Sequence, residues 1–321
     1  MDRQYRDTVA LLLDVTPFIF KQTCFAMKGG TAINLFCRDM PRLSVDIDLV
    51  YVDSQVPDRT AALAAIENSL RKIATELKAR LGVRIQRTTS GSAQETKLFV
   101  SRGDIRVKIE VNHVFRGSVY PVIEGSLTEG AEKMFERELE VPMLDIDELY
   151  ASKLVAALDR QHPRDLFDIM LLNEHGGITQ RMRRAFVVYL AGHNRPMHEL
   201  LPPQAQNLSD AYEKEFIGMT TRDVSLKELE KTRERLFTEL PAALDEEERA
   251  FLLSIHRLTP DWDCLNIPEI QALPAISWKL INLQKLHDKN PEKFDDMLAA
   301  LTERLKTGEA VSDKRGAIDI A

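Results

Sequence analysis

Apolar positions along the chain follow two rhythms. The stretch up to about residue 125 mixes helical spacing with period-two runs, and the remainder is almost wholly helical in spacing. Residues 4–20 read as a helix. A short strand-like run at 23–27 meets Gly29-Gly30, after which Thr31 opens a second helix carrying Ile33, Leu35, Phe36 and Met40 until Pro41 stops it. Residues 45–52 alternate and are rich in β-branched side chains, which predicts a strand. Residues 58–81 place Leu63, Ile66, Leu70, Ile73 and Leu77 on one helical face, and Gly82 ends that helix. Three strand-like runs follow at 83–88, 95–101 and 105–115, the last two joined by the turn Arg102-Gly103-Asp104.

From about residue 126 the spacing changes. Residues 147–158 form an amphipathic helix with Asp145 or Asp147 at its N-cap, and Pro163 opens another carrying Leu166, Phe167, Ile169, Met170 and Leu171. Pro196, Pro202 and Pro203 make 192–209 an irregular connection. Further helices are predicted at 210–219, 223–240, 245–257 and 291–306, with Asp245 and Glu248 spaced as a capping box. The residues after Gly308 lack periodicity, and no internal repeat is present. The pattern predicts an α+β fold: an α/β domain with a mixed sheet at 1–130, a mainly α-helical domain at 131–308, and a disordered tail at 309–321.

Composition narrows the class without naming it. With 321 residues, 44% hydrophobic and 29% charged, the chain resembles an ordinary globular protein. The apolar run 9–20 is broken by Asp14 and Pro17, and 185–192 is too short to span a bilayer, so no membrane partner is expected. The first residues lack the plan of a signal peptide, which makes the cytoplasm the expected location. Cys24, Cys37 and Cys264 are far apart and suggest no zinc site. A net charge of -7 argues against a general nucleic-acid binder but allows a local basic groove.

Two motifs carry chemistry. Glycines at 29 and 30, between a strand and a helix, let the backbone approach a phosphate, with free N–H groups at the helix start; Thr31 could cap the helix or touch that phosphate. A Gly-Gly pair alone also reads as a plain tight turn. Asp46 and Asp48 lie two apart in a strand, so both carboxylates share a face while Ile47 and Leu49 point into the core. Such a like-charged pair reads either as a solvated edge strand carrying two acids or as a site for a compensating cation, for which hard oxygen donors suit Mg²⁺. In the strand around 105–112, Lys108, Glu110 and Asn112 share one face. If this strand neighbours the first, Glu110 completes a three-carboxylate site for two divalent ions. The competing reading pairs Glu110 with Lys97 or Arg106 across strands. In the helical half, Lys153 is followed by Arg160, Arg164, Asp165 and Asp168, which read either as a salt-bridge set or as a lysine for a triphosphate held by Asp165.

The ordered set Lys28-Gly29-Gly30-Thr31-Ala32-Ile33-Asn34-Leu35, Arg42-Leu43-Ser44-Val45-Asp46-Ile47-Asp48-Leu49, Lys153 and Arg164-Asp165-Leu166-Phe167-Asp168 resembles the AbiEii/AbiGii nucleotidyltransferase toxin family over roughly residues 20–175. The resemblance implies a polymerase-β-like nucleotidyltransferase domain followed by a helical domain. It implies a nucleotide-binding turn at Gly29, Gly30 and Thr31, with Arg42 and Ser44 leading in, and a metal pair at Asp46 and Asp48. The basic and acidic positions of a second motif fall at Lys153 and Asp165. Glu110 is matched by strand order alone. Where many members of the wider superfamily have Gly-Ser, this chain has Gly30.

The implied function is a Mg²⁺-dependent (or Mn²⁺-dependent) toxin of a bacterial toxin–antitoxin or phage-defence system. It would transfer NMP from NTP to RNA, most simply the tRNA 3′ end, and be neutralised by a separately encoded antitoxin. Arg181, Arg183, Arg184 and Arg195 could supply the RNA-binding patch, or simply the solvated face of a helix. Transfer to a protein or small molecule, and a non-catalytic antitoxin or binding module, are the alternatives.

Overall fold

The computed structural model describes residues 3–53, 58–90 and 94–316. The chain divides into two compact units, Met1–Leu149 with Gly218–Arg222, and Tyr150–Ile217 with Asp223–Ala321.

The first unit contains α1 (Arg3–Ile19), β1 (Phe25–Lys28), the single turn α2 (Gly29–Ala32), β2 (Asp46–Tyr51), α3 (Arg59–Leu81), β3 (Arg84–Ser90), β4 (Gln94–Arg102), β5 (Ile105–Asn112), β6 (Ile123–Ser126), α4 (Glu129–Phe135) and β7 (Glu140–Met143). Among the described residues the strands form one mixed sheet in the order β3-β4-β5-β2-β1-β7-β6. β2 runs antiparallel to β1 and parallel to β5. The apolar face of the central strands, with Met27, Ile47, Leu49, Ile109 and Val111, is buried, as are Leu63, Ile66, Leu70, Ile73 and Leu77 of α3. Asp58 caps α3 by accepting from the Ala61 N–H, and Gly82 closes it in the left-handed conformation. The β4–β5 hairpin turns at Gly103, whose φ is +60°.

Three features depart from the sequence pattern here. The helix after the glycine turn is one α-helical turn followed by a π-helical segment, Ile33–Cys37, and ends before Pro41. β6 lies in a stretch to which no element was assigned, and β7 lies where helix was expected. Each has only four residues, β7 contains Pro142, and such short strands carry too few alternating positions to register as period two.

The second unit is helical. The chain enters it within α5 (Ile146–Asp159) and continues through α6 (Pro163–Glu174), α7 (Gln180–Ala191), α8 (Ser209–Glu215), α9 (Leu226–Ala243), α10 (Glu246–His256), α11 (Pro274–Lys289) and α12 (Pro291–Gly316). Asp245 and Glu248 form the expected capping box, and Ser225 with Glu228 forms another at the head of α9. α11 is absent from the sequence prediction because its apolar residues do not make one stripe. Ala275, Ile276 and Leu283 are buried, but Trp278 and Ile281 are exposed. α12 continues past Gly308 to Gly316, into the stretch expected to be a tail. The expectation for 317–321 lies outside the described residues. Among the described residues no helix is long and apolar enough to cross a membrane.

Candidate active site

The parallel pairing of β2 with β5 sets Asp46 opposite Lys108 and Asp48 opposite Glu110. On the other side of β2, Lys28 of β1 pairs with Asp48, and beyond β5, Lys97 of β4 pairs with Glu110. Paired residues on neighbouring strands project to the same face. One row across the sheet therefore reads Lys28, Asp48, Glu110, Lys97, and the adjacent row brings Asp46 against Lys108. Strand parity and pairing thus put Asp46, Asp48 and Glu110 on one face of the sheet, within a frame of lysines.

Those lysines are not evenly shared. Lys108 Nζ lies 3.1 Å from Asp46 Oδ2 and 3.1 Å from Glu110 Oε2, and Lys97 Nζ lies 2.8 Å from Glu110 Oε1. Both oxygens of Glu110 are thus engaged by ammonium groups, so the cross-strand pairing and the approach to the aspartates hold together. Burial acts to raise the Glu110 carboxyl, but hydrogen bonds and charge from Lys97 and Lys108 overcome it and hold its pKa below the usual range. Lys108 is held above the ordinary lysine value: burial opposes its charge, and the Asp46 and Glu110 carboxylates outweigh that. Asp48 behaves differently. Among the described residues it makes no hydrogen bond or ion pair, and its carboxyl is pushed up. Burial is the main cause, with Lys28 and Lys108 opposing it and Asp46 and Glu110 adding to it.

The glycine turn is built around these groups. Gly29 has φ +79°, and a Cβ there would collide with the Asp48 carboxylate. A Cβ on Gly30 would come within 2.6 Å of Arg42 Nη2 and 3.1 Å of Ser44 Oγ. The absence of a side chain at position 30 therefore makes room for the buried Arg42 guanidinium, which also donates to the Leu43 carbonyl at 2.9 Å. Thr31 departs from expectation. It is buried, its hydroxyl donates to the Asp46 carbonyl and meets Ser44 Oγ at 2.9 Å, and it does not cap the helix. Its side chain ties the turn to β2. The Ser44 N–H in turn donates to the Tyr5 hydroxyl at 3.4 Å.

Lys153 and Asp165 belong to the second unit. The Lys153 ammonium sits 2.8 Å from Asp165 Oδ1 and 3.2 Å from Asp168 Oδ2, with all three side chains no more than 7% exposed. Arg160 adds two hydrogen bonds to Asp165, from Nε at 2.6 Å and Nη2 at 3.0 Å. Burial would raise the Asp165 carboxyl, yet Lys153 and Arg160 drive it far below the carboxylate range. The salt-bridge reading of this segment is thus realised in the interior, not at the surface, and with one exchange of partners. Arg164 turns instead to Glu215 at 3.8 Å.

Three of the arginines considered for an RNA patch are matched by acids. Arg183 pairs with Glu248 at 3.1 Å and Asp245 at 3.7 Å, Arg184 with Glu247 at 2.9 Å, and Arg195 with Asp159 at 3.0 Å and Glu199 at 3.2 Å. Their charge is balanced locally, which leaves little to attract a phosphate backbone.

The residue that the sequence reading passed over is Lys108. Parity places it on the same face as Glu110, but its contact with Asp46 depends on a strand register that spacing alone does not specify. As a metal site, the donor set is chemically suited to a divalent cation: Asp48 is a hard-oxygen ligand with no hydrogen bond or ion pair among the described residues, and Asp46 lies two residues away on the same face of β2. Among the described residues, no three acidic, histidine or cysteine side chains converge as a finished metal cage.

A search of curated proteins finds no match. Among solved structures, the nucleotidyltransferase toxin MenT4 of Mycobacterium tuberculosis H37Rv is similar over 88% of this chain and 95% of its own, with TM-score 0.57 and 18% sequence identity, a likeness of fold. The family described as the nucleotidyl transferase AbiEii toxin of type IV toxin–antitoxin systems matches residues 10–282, and the chain therefore belongs to this family of nucleotidyltransferase enzymes.

Proposed function

We propose that this toxin transfers NMP from NTP to the 3′ hydroxyl of an RNA, with tRNA as the expected acceptor, in the cytoplasm and with Mg²⁺ as the metal. The observation that carries the catalytic part is the unpartnered Asp48 carboxylate, packed directly behind the Gly29-Gly30 turn and one row from Asp46. Asp46 and Asp48 would hold the divalent ion. When bound, that ion neutralises triphosphate charge and polarises the phosphorus under attack. Gly29 and Gly30 bring the backbone close to the acids, so that the triphosphate can lie against main-chain N–H groups without a side chain intervening. Arg42, Ser44 and Thr31 keep the turn in register with β2. Lys153, fixed between Asp165 and Asp168, is assigned to the leaving pyrophosphate, an assignment that rests on the family resemblance of its motif. The RNA acceptor rests on the same resemblance.

The paired state of Arg183, Arg184 and Arg195 favours a second reading of the acceptor, a protein or small molecule. The test uses the four α-labelled NTPs, Mg²⁺ and total cell extract, followed by RNase or protease. Label removed by RNase supports the RNA acceptor, and label removed only by protease overturns it. Asp48→Asn should abolish labelling and relieve growth inhibition on expression. Inhibition that survives Asp48→Asn would refute the catalytic reading.

A further inference from the structure

We infer that the carboxylate centre takes a single divalent ion, on Asp46 and Asp48, and that Lys108 occupies the place of a second ion between Asp46 and Glu110. This rests on the reading of Asp46 and Asp48 as the metal pair.

The argument is one of charge and of free lone pairs. Three adjacent carboxylates can be compensated by two divalent ions, as in centres that clamp both the attacking and the leaving oxygen. Here the compensation is already half built from the chain itself. Lys108 Nζ is equidistant, at 3.1 Å, from one oxygen of Asp46 and one of Glu110, the two groups that a second ion would bridge. The remaining Glu110 oxygen is taken by Lys97 at 2.8 Å. A divalent ion on Glu110 would have to displace one of these ammonium groups and then tolerate it as a like-charged neighbour. By contrast, Asp48 makes no hydrogen bond or ion pair among the described residues, and Lys28 and Lys108 act on it only through space. The open carboxylate, Asp48, therefore lies at the β2 end of the cluster, beside the glycine turn. The filled ones lie toward β5 and β4.

The arrangement also explains why Lys108 stands in register with Asp46 on a neighbouring strand. An ammonium there is a fixed cation that requires no recruitment, and it holds Asp46 and Glu110 in place while the ion on Asp48 comes and goes. Lys108 is thus a positioning residue, acting through the two acids.

Mn²⁺ titrated into the full-length protein without nucleotide, with free Mn²⁺ read by electron paramagnetic resonance, tests this. The wild type should bind one ion, Glu110→Gln should leave its affinity within about twofold, and Asp48→Asn should weaken it by on the order of tenfold or more. Lys108→Met should gain a second ion that the double variant with Glu110→Gln loses, and Lys108→Arg should behave as wild type. Circular dichroism checks folding. If Lys108→Met unfolds, the neutral Lys108→Gln gives the same reading. Two ions in the wild type, the second lost with Glu110→Gln, would overturn the inference, as would no Mn²⁺ bound at all or no gain on removing the lysine charge. Transfer activity is scored separately. A wild type that binds one ion but transfers no nucleotide leaves this inference standing and refutes the proposed function, and one that transfers nucleotide with two bound ions does the reverse.

Discussion

Replacing Gly29 by alanine should damage the site far more than the fold, and Gly82 supplies the control. Both glycines have left-handed backbones, with φ +79° and +61°. An L-residue in that conformation costs roughly 1–2 kcal/mol. At Gly82 a Cβ would meet nothing within 4 Å, so Gly82→Ala should cost that strain and nothing else. At Gly29 the same Cβ runs into the Asp48 carboxylate. Asp48 has no hydrogen bond among the described residues to resist the push, so its side chain should yield before the strand does. A reacting group misplaced by about 1 Å costs roughly 100-fold in rate. The two variants should therefore lose similar stability in urea titrations, each about 1–2 kcal/mol. Only Gly29→Ala should lose transfer activity, by roughly 100-fold under conditions where it remains folded. Activity in Gly29→Ala equal to that of Gly82→Ala would refute the placement of Asp48 against the turn.

Two further outcomes concern the second unit. Asp165→Asn removes the anion between Lys153 and Arg160 and should destabilise the protein by about 3–5 kcal/mol at pH 7, because a buried lysine loses its principal partner. The folded Asp165 carboxyl is depressed, so its contribution is complete above the unfolded value near 3.9 and is lost as pH falls further. Urea titrations should accordingly show the wild-type advantage shrinking below about pH 4, and an unchanged gap at pH 3 would contradict the ion-pair account. Lys279 is the opposite case. It is 9% exposed, its ammonium donates to the Arg195 carbonyl at 2.9 Å, and burial lowers its pKa from 10.5 to about 8, with Glu199 opposing. That fall represents at most about 3 kcal/mol of cost to the charged form. Lys279→Met should thus stabilise the fold at pH 7 by roughly 1–3 kcal/mol. The gain should fade as pH rises from about 8 toward 10.5, where the wild-type lysine sheds its proton on folding. A variant less stable than wild type at pH 7 would show that the carbonyl hydrogen bond outweighs desolvation.

What could be read from the chain before its structure was largely what local periodicity encodes. α3 was legible because its apolar stripe, its Asp58 cap and its Gly82 stop agree, and β2 and β5 because each alternates for several residues. β6, β7 and α11 were not, since four-residue strands and a helix with exposed Trp278 and Ile281 offer no clean period. The site divides along the same line. Parity within a strand placed Asp46 and Asp48 on one face, and Lys108 and Glu110 on one face of another. Which acid meets which lysine is a property of pairing between strands that lie far apart in the chain. Shifting β5 by two residues would keep every side chain on its observed face, yet Lys108, in place of Glu110, would stand opposite Asp48. Asp48, which makes no ion pair in the observed register and stands opposite Lys28 on β1, would then have a second lysine on its other side. Parity thus made a carboxylate site expected, whereas the register determined which carboxylate was left open.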